Sequence, residues 1–325
     1  MRPMTQPPGA GTADDATRQD PSPSTESRWA ISRGALFTVL ALCLPAVASL
    51  LGPVQTQDLG YHLRGGQLML EWGEVVKSDA LSFSAFGVPW TNQQWGAAGI
   101  LASTYEMAGW TGLLLLRSLA IGLTFSLVFA AGLSVGANRL VAALVALASF
   151  LVAMPNLALR AQTFGLLLFA LVLLILLERR RHPWLLLLVP LLFLAWGNLH
   201  GSFFLGWAAI GVAVLEDLVA RSRLAALTIT IGVLSVLTTL LNPWGLDMWL
   251  YVLDLSTDPM MPAMVSEWQP TTLGKATGQF FFVSLFVMVL LLLLRGRALT
   301  WLQLGWLGLL SLLGVRAVRG VVWWA

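Results

Sequence analysis

Side chains with chemical capacity are scarce in this chain, and most fall in a few short stretches. The first is Asp58-Leu59-Gly60-Tyr61-His62-Leu63-Arg64-Gly65-Gly66. If it is helical, the i, i+4 spacing sets Asp58 and His62 on one face, where carboxylate and imidazole could share a proton, a metal or a phosphate-bearing substrate. The structural alternative is a solvated loop in which Asp58 only caps a helix. Asp79, in Lys77-Ser78-Asp79-Ala80-Leu81-Ser82, offers a second carboxylate, though taken alone it reads as a cap or turn residue.

A second group interrupts apolar sequence at Trp196-Gly197-Asn198-Leu199-His200-Gly201-Ser202. Uncompensated Asn and His are costly in hydrocarbon, so Asn198 and His200 should face a polar cavity or bridge two helices. Two further clusters are Arg160-Ala161-Gln162 and Glu267-Trp268-Gln269-Pro270, whereas Asn242-Pro243-Trp244-Gly245 reads as ordinary helix-stop chemistry. Arg160, Arg316 and Arg319 break the usual charge bias of their side of the membrane, a weak sign of an anionic ligand such as phosphate. Arg117 sits inside an apolar run and reads as a side chain snorkelling to the near interface.

The elements that must hold these residues follow from composition. Hydrophobic residues make up 57% of the 325 positions and charged ones 11%, which points to lipid as the main solvent. Crossing the hydrocarbon takes about 20 apolar residues as a helix. Continuous Leu/Val/Ala runs without alternation exclude a barrel, so the fold is all-α, a polytopic helical bundle with nine or ten transmembrane helices. The runs are expected at about 35–51, 111–133, 140–154, 163–177, 184–196, 203–219, 224–241, 280–294 and 299–315. The lone Cys43 allows no internal disulfide, and a net charge of +3 without a basic, aromatic-interleaved patch sets nucleic acid aside.

Residues 1–33 are rich in Pro, Ser, Thr, Gly and Asp and are expected to be a disordered cytoplasmic tail ahead of a membrane domain over 34–325. Ala46-Val47-Ala48 matches the small-residue pattern of a signal-peptidase site, but a 33-residue leader is long for one. Arg28 and Arg33, the cluster Arg179-Arg180-Arg181, Arg221 with Arg223, and Arg295 with Arg297 should all be cytoplasmic. That orientation puts a first loop over 53–92, the turns near Arg160 and His200, and a later loop over 242–278 together on the extracytoplasmic side. Leu59, Leu63, Leu68, Leu70 and Trp72 among polar neighbours suit a helix lying on the membrane surface. To keep this parity, 93–109 should be a partial or re-entrant helix. Val321-Val322-Trp323-Trp324-Ala325 reads like the start of another span.

Seven motifs in order carry a family resemblance: DLGYHLRGGQLMLEWGEVVKSDALSFS, PWTNQQW, LRAQTFG, WGNLHGSFFLG, LNPWG, SEWQP and VRAVRG. From about Pro53 onward the chain resembles the GT-C superfamily of polytopic glycosyltransferases, which includes protein O-mannosyltransferases and aminoarabinose transferases of lipid A. More closely, it is similar to a group of bacterial membrane proteins of that type. The resemblance implies sugar transfer at the extracytoplasmic face of the inner membrane. The donor would be a polyprenyl-phosphate-linked sugar, and the acceptor a lipid, glycan or protein. It implies Asp58 as catalytic base or acceptor-holding carboxylate and Asp79 as the second acidic residue. His62, Arg64, Arg160, Gln162, Asn198, His200, Glu267 and Gln269 would line the substrate cavity. A divalent metal is allowed by the resemblance, but Gln57 stands beside Asp58 where many such enzymes carry a second acidic residue. Two other readings of the same residues are a transporter or flippase for a lipid-linked or anionic solute, and a non-catalytic partner in envelope assembly.

Overall fold

The structure, a computed structural model, describes residue 1 and residues 32–54, 58–295 and 299–325. Most of the tail expected over 1–33, together with Arg28, Gln57 and Arg297, lies outside the described residues. The chain is 75% helical, and the described residues contain no strand; one isolated bridge joins Ser78 to Pro89. In order the helices are α1 (Arg33–Leu51), α2 (Leu59–Trp72), α3 (Trp95–Ser134), α4 (Arg139–Ala153), α5 (Ala161–Glu178), α6 (Val189–Leu199), α7 (Phe203–Val219), α8 (Ala225–Thr238), α9 (Asp247–Thr257), α10 (Met261–Met264), α11 (Ala276–Arg295), α12 (Trp301–Arg316) and α13 (Val321–Trp324).

Among the described residues five stretches are long and apolar enough to cross a membrane: Arg33–Leu51, Trp95–Ser134, Arg139–Asn156, Ala161–Glu178 and Ala276–Leu294. Pro183–Leu199, Ala225–Thr238 and Leu302–Arg316 are apolar but shorter. The expected nine or ten spans exceed this count because turns consume the ends of several apolar runs. Pro183–Leu188 is a 3-10 turn ahead of α6, and α8 ends at Thr238, so that 239–241 of its run form a turn. The outward faces are apolar as well: α11 exposes Val283, Phe286, Leu290, Leu293 and Leu294, the pattern of a helix in a solvent other than water.

The main core joins α3 through α9 and α13. Phe125, Phe150, Phe169, Phe193, Trp196, Phe203 and Trp323 are its large buried members, with Phe169 edge-on to Trp196 and Trp323. Helix α5 runs through its middle, flanked by Arg160 at its N-cap and Arg179 at its C-cap. Eighteen residues at about 1.5 Å each separate these two arginines by about 27 Å, and they name the two ends of the bundle.

Gly109 breaks α3 with φ 58° and ψ −149°, a backbone region only glycine enters freely. Limb 95–108 stays at the Arg160 end: Gly96 abuts the backbone of Asn198, and Gly112, just past the break, abuts Thr104 and Ala108. Limb 110–134 then descends to the other end, where Ser134 O accepts from Arg181. Arg117 near its top does not snorkel. It is buried and donates to the carbonyls of Ser49, Gly52 and Pro53, satisfying carbonyls that α1 leaves open at its C-terminus.

Candidate functional site

The Arg160 end gathers the side chains from segments far apart in the chain. A small apolar cluster of Leu59, Ala97, Leu101, Leu113, Leu159, Ala161 and Phe164 clamps α2, both limbs of α3 and the start of α5 together. That clamp places the first turn of α2 over the N-terminus of α5. Asp58 occupies the N-cap position of α2, yet its side chain makes no capping hydrogen bond. Its carboxylate instead faces Arg160, Oδ2 to Nη1 at 3.5 Å. The same Nη1 donates to Glu267 Oε2 at 2.6 Å. The Arg160 side chain is 7% exposed, against 42% for Asp58 and 23% for Glu267, so the arginine is the deep member and the two carboxylates are its more accessible partners.

One turn along from Asp58, His62 is buried, at 1% exposure, and its Nδ1 has no hydrogen-bond partner. Burial first and the Arg160 charge second lower its pKa from 6.5 to about 4, so the ring is neutral near pH 7. Tyr61 tilts over it with ring centroids 4.2 Å apart and donates its hydroxyl to Gln94 Oε1 at 3.2 Å. Burial, then the Asp58 charge, raises the phenol pKa and keeps the hydroxyl protonated.

His200 comes in from the α6–α7 turn. Ser202 N donates to its Nδ1 at 3.1 Å, which makes Nδ1 an acceptor, and Ser202 Oγ lies 2.8 Å from the same atom. Burial foremost, then the charges of Arg319 and Arg160, push its pKa well below 6.5. A neutral ring with an accepting Nδ1 carries its proton on Nε2, and among the described residues Nε2 has no hydrogen-bond partner. Gly165 leaves the room for this arrangement: a Cβ there would sit 2.6 Å from Ser202 Oγ and 3.2 Å from His200 Nδ1. The glycine of the LRAQTFG motif is therefore a site requirement.

The last wall is built by two short segments that zip together. Val318 N donates to Gln269 O at 3.0 Å, and Thr271 N to Val315 O at 3.0 Å. This pairing lays the Arg319 guanidinium over the Trp268 ring, 4.5 Å from its centroid. Gln162 Nε2 reaches Arg319 O at 3.5 Å, while Gln162 Oε1 is buried without a partner.

Asp58, His62, Arg160, Gln162, His200 and Glu267 are thus brought to one place. Four other residues expected in the site are placed elsewhere, each for a local reason. Asp79 closes its own turn, accepting from Leu81 N at 2.8 Å, Ser82 N at 2.9 Å and the Ser82 hydroxyl, bonds that lower its pKa. Arg64 points outward and pairs with Glu71 at 2.8 Å. It borders an open groove of about 490 Å³ walled by Leu59, Leu63, Tyr105 and Trp110. Asn198 ties helices together, donating to Leu194 O and Leu241 O and accepting from Trp95 Nε1. Gln269 is exposed and contributes its backbone carbonyl to the zipper. Tyr61, Trp268, Ser202 and Arg319 join the site through stacking and turn contacts that residue type and spacing do not signal, although Arg319 stands out in sequence as an anomalous arginine.

The donor set does not suit a metal. Among the described residues no three His, Cys, Asp or Glu side chains are grouped to hold an ion, and the guanidinium of Arg160 lies between the two carboxylates. No family model, curated protein or solved structure matches the chain.

Proposed function

We propose that the chain is a membrane glycosyltransferase that moves a sugar from a polyprenyl-phosphate donor to an acceptor hydroxyl or amine at the Arg160 end. That end would be extracytoplasmic, on the charge bias of the Arg179 cluster. The observation that carries the reading is the half-exposed Asp58 carboxylate held against Arg160 instead of capping its helix. A carboxylate so placed can take the acceptor's proton as its oxygen or nitrogen attacks the sugar's anomeric carbon. The bond from that carbon to the phosphate oxygen breaks, and the carrier leaves as a phosphate monoester with one more negative charge. Arg160 remains paired with Glu267, so protonation of Asp58 takes the three-residue cluster from a net negative charge to neutral and removes a repulsion as the phosphate's negative charge grows. The groove walled by Leu59, Leu63, Tyr105 and Trp110 and edged by Arg64 and Gln67 is the surface this reading assigns to the prenyl chain.

The test is transfer of labelled sugar from a panel of polyprenyl-phosphate hexoses and pentoses by the full chain in proteoliposomes. Asp58→Asn should leave expression and unfolding temperature unchanged and reduce transfer by about 100-fold or more. Undiminished transfer by the variant would remove the assignment.

A further inference from the structure

Three arginines at this end stand out as anomalous in the sequence, and the fold distinguishes them. Arg316 is exposed in the last turn of α12, where a cation suits the helix dipole. Arg160 has its charge matched by two carboxylates. Arg319 has neither role. Among the described residues no carboxylate lies within ion-pair distance of it, and its side chain donates no hydrogen bond to the protein. Glu267 and Asp58 act on it only at longer range, against the opposing charge of Arg160. It is only partly exposed, and the Trp268 face fixes the plane of its guanidinium.

A partly buried cation with no carboxylate partner among the described residues is left with an uncompensated charge, which a ligand of opposite charge would match. Two neighbours indicate what the ligand offers. The Nε2–H of His200 is a neutral donor with no protein acceptor, in a ring whose proton affinity is lowered most, among nearby charges, by Arg319. The buried Gln162 Oε1, in the side chain whose amide touches Arg319 O, is an acceptor with no donor.

We propose that Arg319, with the Nε2–H of His200, receives the phosphate of a phosphate ester, that Gln162 Oε1 accepts from a hydroxyl of the esterified group, and that Arg160 is a positioning residue for Asp58 and Glu267. This deepens the glycosyltransferase reading and rests on it for the identity of the ester. The phosphate site itself is tested without any transfer assay.

The experiment is equilibrium binding of farnesyl phosphate, farnesol and inorganic phosphate to the purified full chain in nanodiscs. Farnesyl phosphate should bind at least about 10-fold more tightly than farnesol, as a charge-assisted contact requires. Arg319→Gln should erase that preference with an unchanged unfolding temperature, since no carboxylate loses a partner. Arg319→Lys should restore part of it. Inorganic phosphate binding as tightly as the farnesyl ester would keep the site and make free phosphate its source. A folded Arg319→Gln protein that still prefers farnesyl phosphate, or a wild type without preference, overturns the proposal. If Arg319→Gln fails to fold, a photoreactive farnesyl phosphate on wild type decides: label on the Trp268 or Arg319 peptides supports it, and label only elsewhere overturns it. Phosphate binding at Arg319 without sugar transfer would sink the enzyme reading and leave the anion site standing.

Discussion

Arg160 and Arg179 bracket the same helix, and the protein surrounds them in opposite ways. At the C-terminal end of α5, Arg179, Arg180 and Arg181 each have a carboxylate partner. Arg179 Nε and Nη2 reach the two oxygens of Asp217 at 3.0 and 3.1 Å, and Nη2 also reaches Glu216 at 2.9 Å. Arg180 and Thr228 complete the shell around Asp217, which is 0% exposed. At the N-terminal end Arg160 uses one nitrogen for two carboxylates, and among the described residues Arg319 has no counter-ion and the buried His62 Nδ1 and Gln162 Oε1 have no partner. Buried polar groups are almost always paired, so a satisfied cluster reads as structural, and a concentration of unpaired groups is where the proposed ligand would supply the missing partners.

The contrast can be broken most forcefully at Asp217. Asp217→Ala should cost about 3–5 kcal/mol, because it leaves buried Arg179 with only the more exposed Glu216. Chemical unfolding in detergent measures this, and a loss below about 1 kcal/mol would show that the closed network is not what holds α5 to α7. Arg160→Gln should cost less, about 1–3 kcal/mol, since Asp58 and Glu267 can turn toward water, while sugar transfer falls as far as in Asp58→Asn. Equal destabilisation by the two variants would erase the distinction between the ends.

Acid should separate the ends by a smaller effect. The folded His62 ring refuses a proton until about pH 4, whereas in the unfolded chain it accepts one near 6.5. Its contribution is therefore complete above about pH 6.5 and declines as pH falls toward 4. Unfolding temperature should drop across that window, and His62→Phe should flatten the slope. Hydrogen exchange near pH 5 should rise first in the α2 segment and later near Asp217. An unaltered slope in His62→Phe would show that the ring is not buried in neutral form.

Part of the site could be read directly from residue types. Asp58, His62, Arg160, Gln162, His200 and Glu267 are conspicuous because ionisable and amide groups beside long apolar runs are rare and costly. Asp79, Arg64, Asn198 and Gln269 carry the same signal yet have local duties in a turn, a surface ion pair, a helix tie and a zipper. Spacing does not distinguish the two groups, since the cost of burying a polar group says nothing about which partner relieves it. Asp58 illustrates the point: its position is that of an N-cap, and only the clamp between α2 and α5 turns its carboxylate toward Arg160. Tyr61, Trp268 and Arg319 needed the fold, because stacking on His62 or pairing between 266–271 and 315–320 leaves no periodicity to detect.

What the residues alone determined is the element type: long apolar runs with few charges fold as helices, and five stretches among the described residues are long and apolar enough to cross a membrane. They also place most of the polar groups at the ends of those runs, where polar groups escape hydrocarbon. Tertiary structure decided which of those ends meet, which arginine is neutralised and which is left without a counter-ion. Those outcomes depend on contacts between residues as far apart as Asp58, Arg160, Glu267 and Arg319, whose geometry is set by packing rather than by sequence proximity.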